Sequence, residues 1–545
     1  MADAVKAGGA VGESLGVDRR LLLGGAAAAG LFVASGAWAA GGDEAPEAAT
    51  TYGRVRGFND GGVCVFRGIP YGAPTGGGSR FMPAEPPRSW GGVKECRKFG
   101  DQCPQLPPKG PAAWASWAVN VGETEDCLSI NVTTPALRDG KKRPVMVWLH
   151  GGGYTQYNGS APVYDGVRLA QRGDVVVVTV NHRLNLFGYL YLADLAGPKF
   201  ADSGNIGQLD LVMALQWVRD NITEFGGDPG RVMIFGESGG GGKVSTLLAM
   251  PAAKGLFHRA AIQSGPGLRG VSPEKATAVA SAVCEALHLN PKSAGDLQRV
   301  PTDRLLDALG AVTKAGVGRF GPVVDGKTLP RDPFTPDAPS LSSDVPIIVG
   351  YNATETTVLG AAPALFDLDW GGLKEHLAEG AGGGDVDKLV ADFRRLRPAA
   401  SPSDLYFHIT TLHGMGTGSV TLAERKSALA AAPAYLYRLE FETPVDKLRS
   451  PHALDLPLVF DTVGKSASLL GPVSEPAQKV ADQMSAAWIA FARTGSPNAP
   501  GLASWPRYDT RSRSTMLFNV TSRAVNDPDS EERQIIAALP PVQRA

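Results

Sequence analysis

The run Gly236-Glu237-Ser238-Gly239-Gly240 constrains this chain more than any other five residues in it. It follows the apolar stretch Val232-Met233-Ile234-Phe235 and precedes a helix-compatible segment from Lys243 to Met250. That context implies strand, sharp turn and helix, with a serine at the apex. Glycines at 236 and 240 remove side chains that would collide where strand and helix approach each other. The Ser238 hydroxyl is then lifted clear of a sheet. The helix N-terminus beneath it offers free N–H groups that suit an oxyanion. The pattern alone is weak in a chain with 68 glycines, and Gly12-Glu13-Ser14-Leu15-Gly16 has the same form. No strand precedes Ser14, so context singles out Ser238.

Other apolar runs bounded by turn residues read as buried strands of a parallel sheet: Pro144 to Leu149, Val175 to Val180, and Val232 to Phe235 itself. Between the last two, Leu211, Leu215, Val218 and Ile222 give the stretch from Leu209 a helical period. Two later runs, 345–349 and 435–441, read as further strands. Strands alternating with helices argue for one α/β sheet. Segments 270–320 and 360–430 are polar and helix-prone, and read as helical insertions over the sheet. With 545 residues and 43% hydrophobic content, the chain is long enough to bury a large core, and no interdomain linker interrupts it. The net charge of −1, without runs of one sign, gives no footing for a nucleic-acid partner.

The N-terminus reads as a processing segment. Arg19-Arg20 precede a weakly apolar, Ala/Gly-rich stretch that ends in Ala37-Trp38-Ala39. Paired arginines and a small-x-small site are the pattern of a cleaved twin-arginine signal. Residues 1–39 are thus expected to be removed, leaving a single domain over 40–545 in a periplasmic or secreted protein. An uncleaved anchor is the alternative, since about twenty apolar residues just span a bilayer. The five cysteines (Cys64, Cys96, Cys103, Cys127 and Cys284) leave at least one unpaired, and none has zinc-site spacing.

A serine hydroxyl needs a base to take its proton and an acid to orient that base. On a sheet of this kind the expected chain order is nucleophile, acid, histidine. Glu355 follows the strand at 345–349, and His452 follows the one at 435–441. Both can equally be ordinary loop residues on spacing alone, and His408 and His413 are rival histidines. His150-Gly151-Gly152-Gly153-Tyr154 follows the strand ending at Leu149. Three glycines in succession let backbone N–H groups converge, as an oxyanion hole requires. A phosphate loop lacks its Lys-Ser/Thr ending here.

Taken together, these blocks resemble the type-B carboxylesterase family, which includes bacterial para-nitrobenzyl esterases and cholinesterases. The resemblance runs from about Tyr52 to Arg523. It is carried also by Phe66-Arg67-Gly68-Ile69-Pro70-Tyr71, by Glu125-Asp126-Cys127-Leu128, by Asn181-His182-Arg183, and by Phe225-Gly226-Gly227-Asp228-Pro229. It implies an α/β-hydrolase fold and a serine ester hydrolase working through an acyl-enzyme on small-molecule esters, with no metal or cofactor. It makes Ser238 the nucleophile, Glu355 the acid and His452 the base. It places the oxyanion donors at Gly152, Gly153 and Gly239, with Glu237 beside the nucleophile and Ser264 as a supporting hydroxyl. It pairs Cys103 with Cys127. An amidase or carbamate hydrolase would use the same triad, and a non-catalytic binding protein would share the fold. The sequence departs from the family pattern at Gly239, where alanine is usual, at the following Gly241 and Gly242, and at Thr356, where glycine is frequent. The extra glycines are expected to loosen the first helical turn. Five N-x-S/T sequons, at Asn131, Asn158, Asn221, Asn352 and Asn519, are read as unoccupied. Trp114, Trp117, Tyr154 and Phe320 are candidate pocket linings.

Overall fold

The computed structural model describes residues 45–107, 111–380 and 384–540. The expected signal over 1–39, with Arg19-Arg20, Ser14 and the cleavage point near Ala40, lies outside the described residues. From Ala45 onward the chain forms one unit.

Its centre is an eleven-stranded sheet. In chain order the strands are β1 (Phe58–Asp60), β2 (Val63–Pro70), β3 (Ser129–Thr134), β4 (Arg143–Leu149), β5 (Val176–Val180), β6 (Gly227–Glu237), β7 (Arg259–Gln263), β8 (Ile347–Asn352), β9 (Ala434–Leu439), β10 (Ser514–Phe518) and β11 (Arg523–Asn526). Across the sheet they run β11-β10-β9-β8-β7-β6-β4-β5-β3-β2-β1. Pairing is parallel from β5 through β4, β6, β7, β8 and β9 to β10. The edges are antiparallel, with β1 to β3 on one side and β11 on the other. Residues 47–56 and 93–95 form a separate three-stranded sheet.

Alternation along the central strands explains why they read as continuous apolar runs. Val145, Val147 and Leu149 enter one core, while Met146 and Trp148 enter the other. Ile347 and Val349 divide from Ile348 in the same way. The first core is closed by helices α1 (Ile206–Asn221) and α2 (Gly239–Leu247), and the second by α3 (Glu475–Thr494). The expected insertions are helical: Pro273–Ala286 and Thr302–Lys314, then Trp370–Gly380, Val386–Leu396, Pro402–Thr411 and Thr417–Ala428.

Two expectations are corrected. Cys103 and Cys127 do not form a bridge, and all five cysteines are free thiols. The two thiols are buried and in hydrogen-bond contact. The helix expected from Lys243 begins four residues earlier, at Gly239. Of the five sequon asparagines, Asn131, Asn158, Asn221 and Asn352 are buried and Asn519 is half-buried. No helix among the described residues is long and apolar enough to cross a membrane.

Candidate active site

Strand β6 ends at Glu237, and Ser238 sits between it and α2 with φ 56° and ψ −123°. This backbone conformation is costly for a residue with a side chain, and the surroundings must hold it. Part of the restraint is visible. The Ser238 N–H donates to the Gln263 carbonyl at 2.9 Å, and the Gly242 N–H donates to the Ser238 carbonyl at 3.1 Å.

Glu355 opens a short 3₁₀ turn after β8, is fully buried, and accepts three hydrogen bonds. His452 Nδ1 lies 2.5 Å from one carboxylate oxygen. The Ser264 hydroxyl and the Asn352 N–H donate to the other, at 2.6 and 2.7 Å. Ser264, just past β7, thus holds the Glu355 carboxylate. The turns carrying acid and base are joined directly. Asn352 Nδ2 donates to the Pro451 carbonyl at 2.8 Å, and Thr354 N–H to the Ser450 carbonyl at 3.0 Å.

The far side of the imidazole faces the elbow. His452 Nε2 lies 3.0 Å from Glu237 Oε1, and both side chains are buried. Among the described residues no hydrogen bond joins Nε2 to the Ser238 hydroxyl. Catalytic hydrogen bonds commonly tighten only once substrate is bound. Burial drives the Glu237 carboxyl up to about 8, with the charge of His452 opposing. Burial would lower His452, but the charges of Glu237 and Glu355 outweigh it and raise the imidazole to about 9. The pair therefore competes for one proton. On Glu237 that proton leaves Nε2 free to accept from serine; on His452 it blocks the base.

The glycine loop packs against the start of α2. Gly152 and Gly153 have φ of 89° and 59°, and their N–H groups have no acceptor among the described residues. Gly239 is the first residue of α2, where an N–H has no intrahelical partner. Gly239 thus lies against the Gly153 nitrogen, and Gly151 lies against Ser238. The unusual Gly239 has a physical reason, since a Cβ there would stand 2.6 Å from the Gly153 nitrogen. A Cβ on Gly242 would collide with the Tyr154 hydroxyl. Gly239 and Gly242 admit the loop, Gly241 lies against Gln263 and Gly265, and the helix forms around all three. Thr356 ties the acid turn to the helix Pro402–Thr411 through the Phe407 carbonyl, at 3.2 Å.

The rival histidines lie elsewhere. His408 contacts Glu532 at 2.6 Å, and His413 Nε2 donates to the Pro540 carbonyl at 2.7 Å. His408, Asp529 and Glu532 are the one metal-capable trio among the described residues, but Arg397 and Arg438 already pair with its carboxylates. Of the candidate linings, Trp114 lies 6.1 Å from His452, ring centre to ring centre, and Trp117 stacks on it. Tyr154 packs against Tyr189 instead, and Phe320 is buried.

Sequence reasoning missed Asp455. It is fully buried and takes hydrogen bonds from Gln263 and Tyr437, both at 2.8 Å, and burial raises its carboxyl. Its position three residues after His452, on the following helical turn, was the available signal.

The family model described as the carboxylesterase family matches residues 44–365 and 399–536. Para-nitrobenzyl esterase of Bacillus subtilis (strain 168) is 35% identical over 494 residues, covering 89% of this chain and 97% of that protein. Liver carboxylesterase 1F of Rattus norvegicus is 33% identical over 499 residues, covering 85% and 87%. The crystal structure of Geobacillus stearothermophilus carboxylesterase EST55 at pH 6.2 superposes with a TM-score of 0.79 at 36% identity, covering 90% of this chain and 99% of that one.

Proposed function

This chain belongs to the carboxylesterase family, has the α/β-hydrolase fold and is a serine carboxylic-ester hydrolase, and from that premise we propose that Ser238, His452 and Glu355 are its catalytic triad. The observation that carries the assignment is the placement of His452, with Nδ1 on the buried Glu355 and Nε2 turned to the elbow that presents Ser238.

The steps follow from that geometry. Nε2 takes the Ser238 proton as the oxygen attacks the ester carbonyl. The carbonyl electron pair moves onto oxygen, and the alkoxide is met by the N–H groups of Gly152, Gly153 and Gly239. His452 returns the proton to the departing alcohol, leaving an acyl-serine. Water, deprotonated by the same imidazole, repeats the sequence and releases the acid. Glu355 fixes the imidazole tautomer and balances its transient charge, with Ser264 and the Asn352 N–H holding the carboxylate in place. Glu237 tunes the proton on His452. Export through the Arg19-Arg20 signal is part of the same proposal and rests on the sequence pattern alone.

A fluorophosphonate probe tests the site. It should attach to Ser238, identified by peptide mass spectrometry, and Ser238→Ala should abolish labelling. Attachment elsewhere would assign another nucleophile, and none in a folded sample would favour a binding protein.

A further inference from the structure

Lys243 is a buried cation that the proposed chemistry does not use. It lies on α2, five residues beyond Ser238, and is fully buried. Its Nζ donates to the His150 carbonyl at 2.8 Å, its one hydrogen-bond acceptor among the described residues. The same Nζ lies 5.6 Å from the centre of the Tyr154 ring. His150 and Tyr154 are the two ends of the segment that holds Gly151, Gly152 and Gly153. One side chain on the nucleophile helix therefore grips the glycine loop at both ends.

The site is built to receive it. Gly242, immediately before Lys243, leaves the space that the Tyr154 hydroxyl occupies. The charged and titratable groups facing Lys243 are His150 and His182, whose rings pack at 4.7 Å, and Tyr154, which Arg319 approaches from outside. None of them is an anion. A lysine without a counter-ion in such a place costs stability, since its ammonium is desolvated without compensation. Burial draws Lys243 down to about 7.

We propose that Lys243 is a positioning residue for ester hydrolysis, clamping the oxyanion loop to the nucleophile helix so that the Gly152, Gly153 and Gly239 N–H groups converge on one point. The loop needs such a clamp. Its three glycines allow many backbone conformations, and two of its N–H groups have no internal partner to fix them. Oxyanion donors act only if they are already in place when charge develops. The hydrogen bond does not depend on the charge, because a neutral amine still donates to the His150 carbonyl. The inference rests on the proposed triad and oxyanion hole.

Fold stability separates a clamp for catalysis from an ordinary core contact. The folded-state value of Lys243 lies below the ordinary lysine value of 10.5, so the unfolded chain binds the extra proton between about 7 and 10.5. In that window the group's contribution to stability rises with pH, and at lower pH its cost is fully present. Lys243→Met keeps the volume and removes both the donor and that cost. It should leave Tm at pH 7 unchanged or higher. At the same time kcat for p-nitrophenyl acetate should fall about 10- to 100-fold, the scale expected when donors are displaced by a fraction of an ångström to one ångström. KM should stay within about threefold. Inhibition by an aryl trifluoromethyl ketone, which adds to the serine and places an alkoxide in the hole, should weaken in parallel with kcat. Lys243→Leu, which likewise has no side-chain donor, is measured beside it and decides the matter should the methionine variant not fold. Wild-type kcat in either folded variant overturns the proposal, as does a kcat loss that follows a lowered Tm. Ser238→Ala is the control: full turnover in it would indict the triad rather than Lys243.

Discussion

A methyl group on Gly239 would stand 2.6 Å from the backbone nitrogen of Gly153, closer than any unstrained contact allows. The residue after Ser238 and the last of the three loop glycines are therefore packed more tightly here than an alanine permits. Neither neighbour is a flexible side chain that can swing aside, so relief requires backbone movement.

Gly239→Ala should accordingly push the Gly153 N–H out of register with the Gly239 N–H. Alanine also favours the helix over glycine by about 1 kcal/mol, so stability need not suffer. The expected result is a kcat about tenfold lower with KM little changed, the signature of an interaction made only in the transition state. Steady-state kinetics on p-nitrophenyl acetate with a thermal melt checks it. An alanine variant as fast as the parent would show that the loop gives way freely.

The pH dependence should reveal Glu237. The imidazole of His452 is raised to about 9 by Glu237 and Glu355 against the effect of burial. The base must be neutral to act, so the acid limb of kcat/KM should lie above the ordinary histidine value of 6.5. Glu237→Gln removes one of the two charges that stabilise the imidazolium. The His452 value should fall, and the acid limb should move to lower pH. Profiles from pH 5 to 10 for both enzymes decide this. An unmoved limb would mean that Glu237 stays protonated and neutral in the working enzyme.

What was legible in the sequence and what was not follow from how each feature is specified. Strands β4, β5 and β6 are runs of β-branched and large apolar residues cut off by turn residues, and their burial on both faces leaves no polar interruption. Strand β7, Arg-Ala-Ala-Ile-Gln, was not singled out, because two alanines carry little strand preference and only its neighbours β6 and β8 make it one. The proposed triad was legible because each member follows a strand, and strand ends order the site. The start of α2 is hard to read because four glycines argue against a helix, whereas the segment 149–154 crowds Gly239, Gly240 and Gly242 and the segment 263–265 crowds Gly241. Lys243 was invisible as a buried group. Lysine is a surface residue by default, and only the fold brings it under a loop more than ninety positions away.

Trp114 should set how the site treats aromatic esters. Its ring lies beside the base, stacked on Trp117 and met edge-on by Tyr157 at 6.3 Å. The panel is held from behind by Trp117 Nε1 on Ser466 at 3.1 Å and by Ser468 on the Ala113 carbonyl at 2.8 Å. Trp114→Ala should raise KM for a phenyl ester about tenfold, given about 0.5–1.5 kcal/mol for an aromatic pair beyond its buried area. KM for a methyl ester of the same acid should change less. Equal changes for both esters would assign Trp114 to packing alone.

The last expectation concerns how Ser238, His452 and Glu355 share the work. Ser238→Ala removes the nucleophile and should lower kcat by about 10⁴- to 10⁶-fold. His452→Ala should cost nearly as much, because a serine hydroxyl without a base is scarcely better than water. The double variant should be barely slower than either single one, since whatever activity persists comes from the oxyanion hole and binding, which both leave intact. Glu355→Gln should cost less than either. Ser264 and the Asn352 N–H would still bracket position 355, and nucleophile and base would remain. What is lost is the negative charge facing Nδ1. With it goes part of what raises His452, the Glu237 charge remaining, so the acid limb of the residual activity should shift down. Four variants measured on one ester, with the pH profile of Glu355→Gln, suffice. Losses that multiply in the Ser238→Ala, His452→Ala pair would mean that the two act independently. The geometry around Glu355 would then be structural, and another group would have to serve as the base.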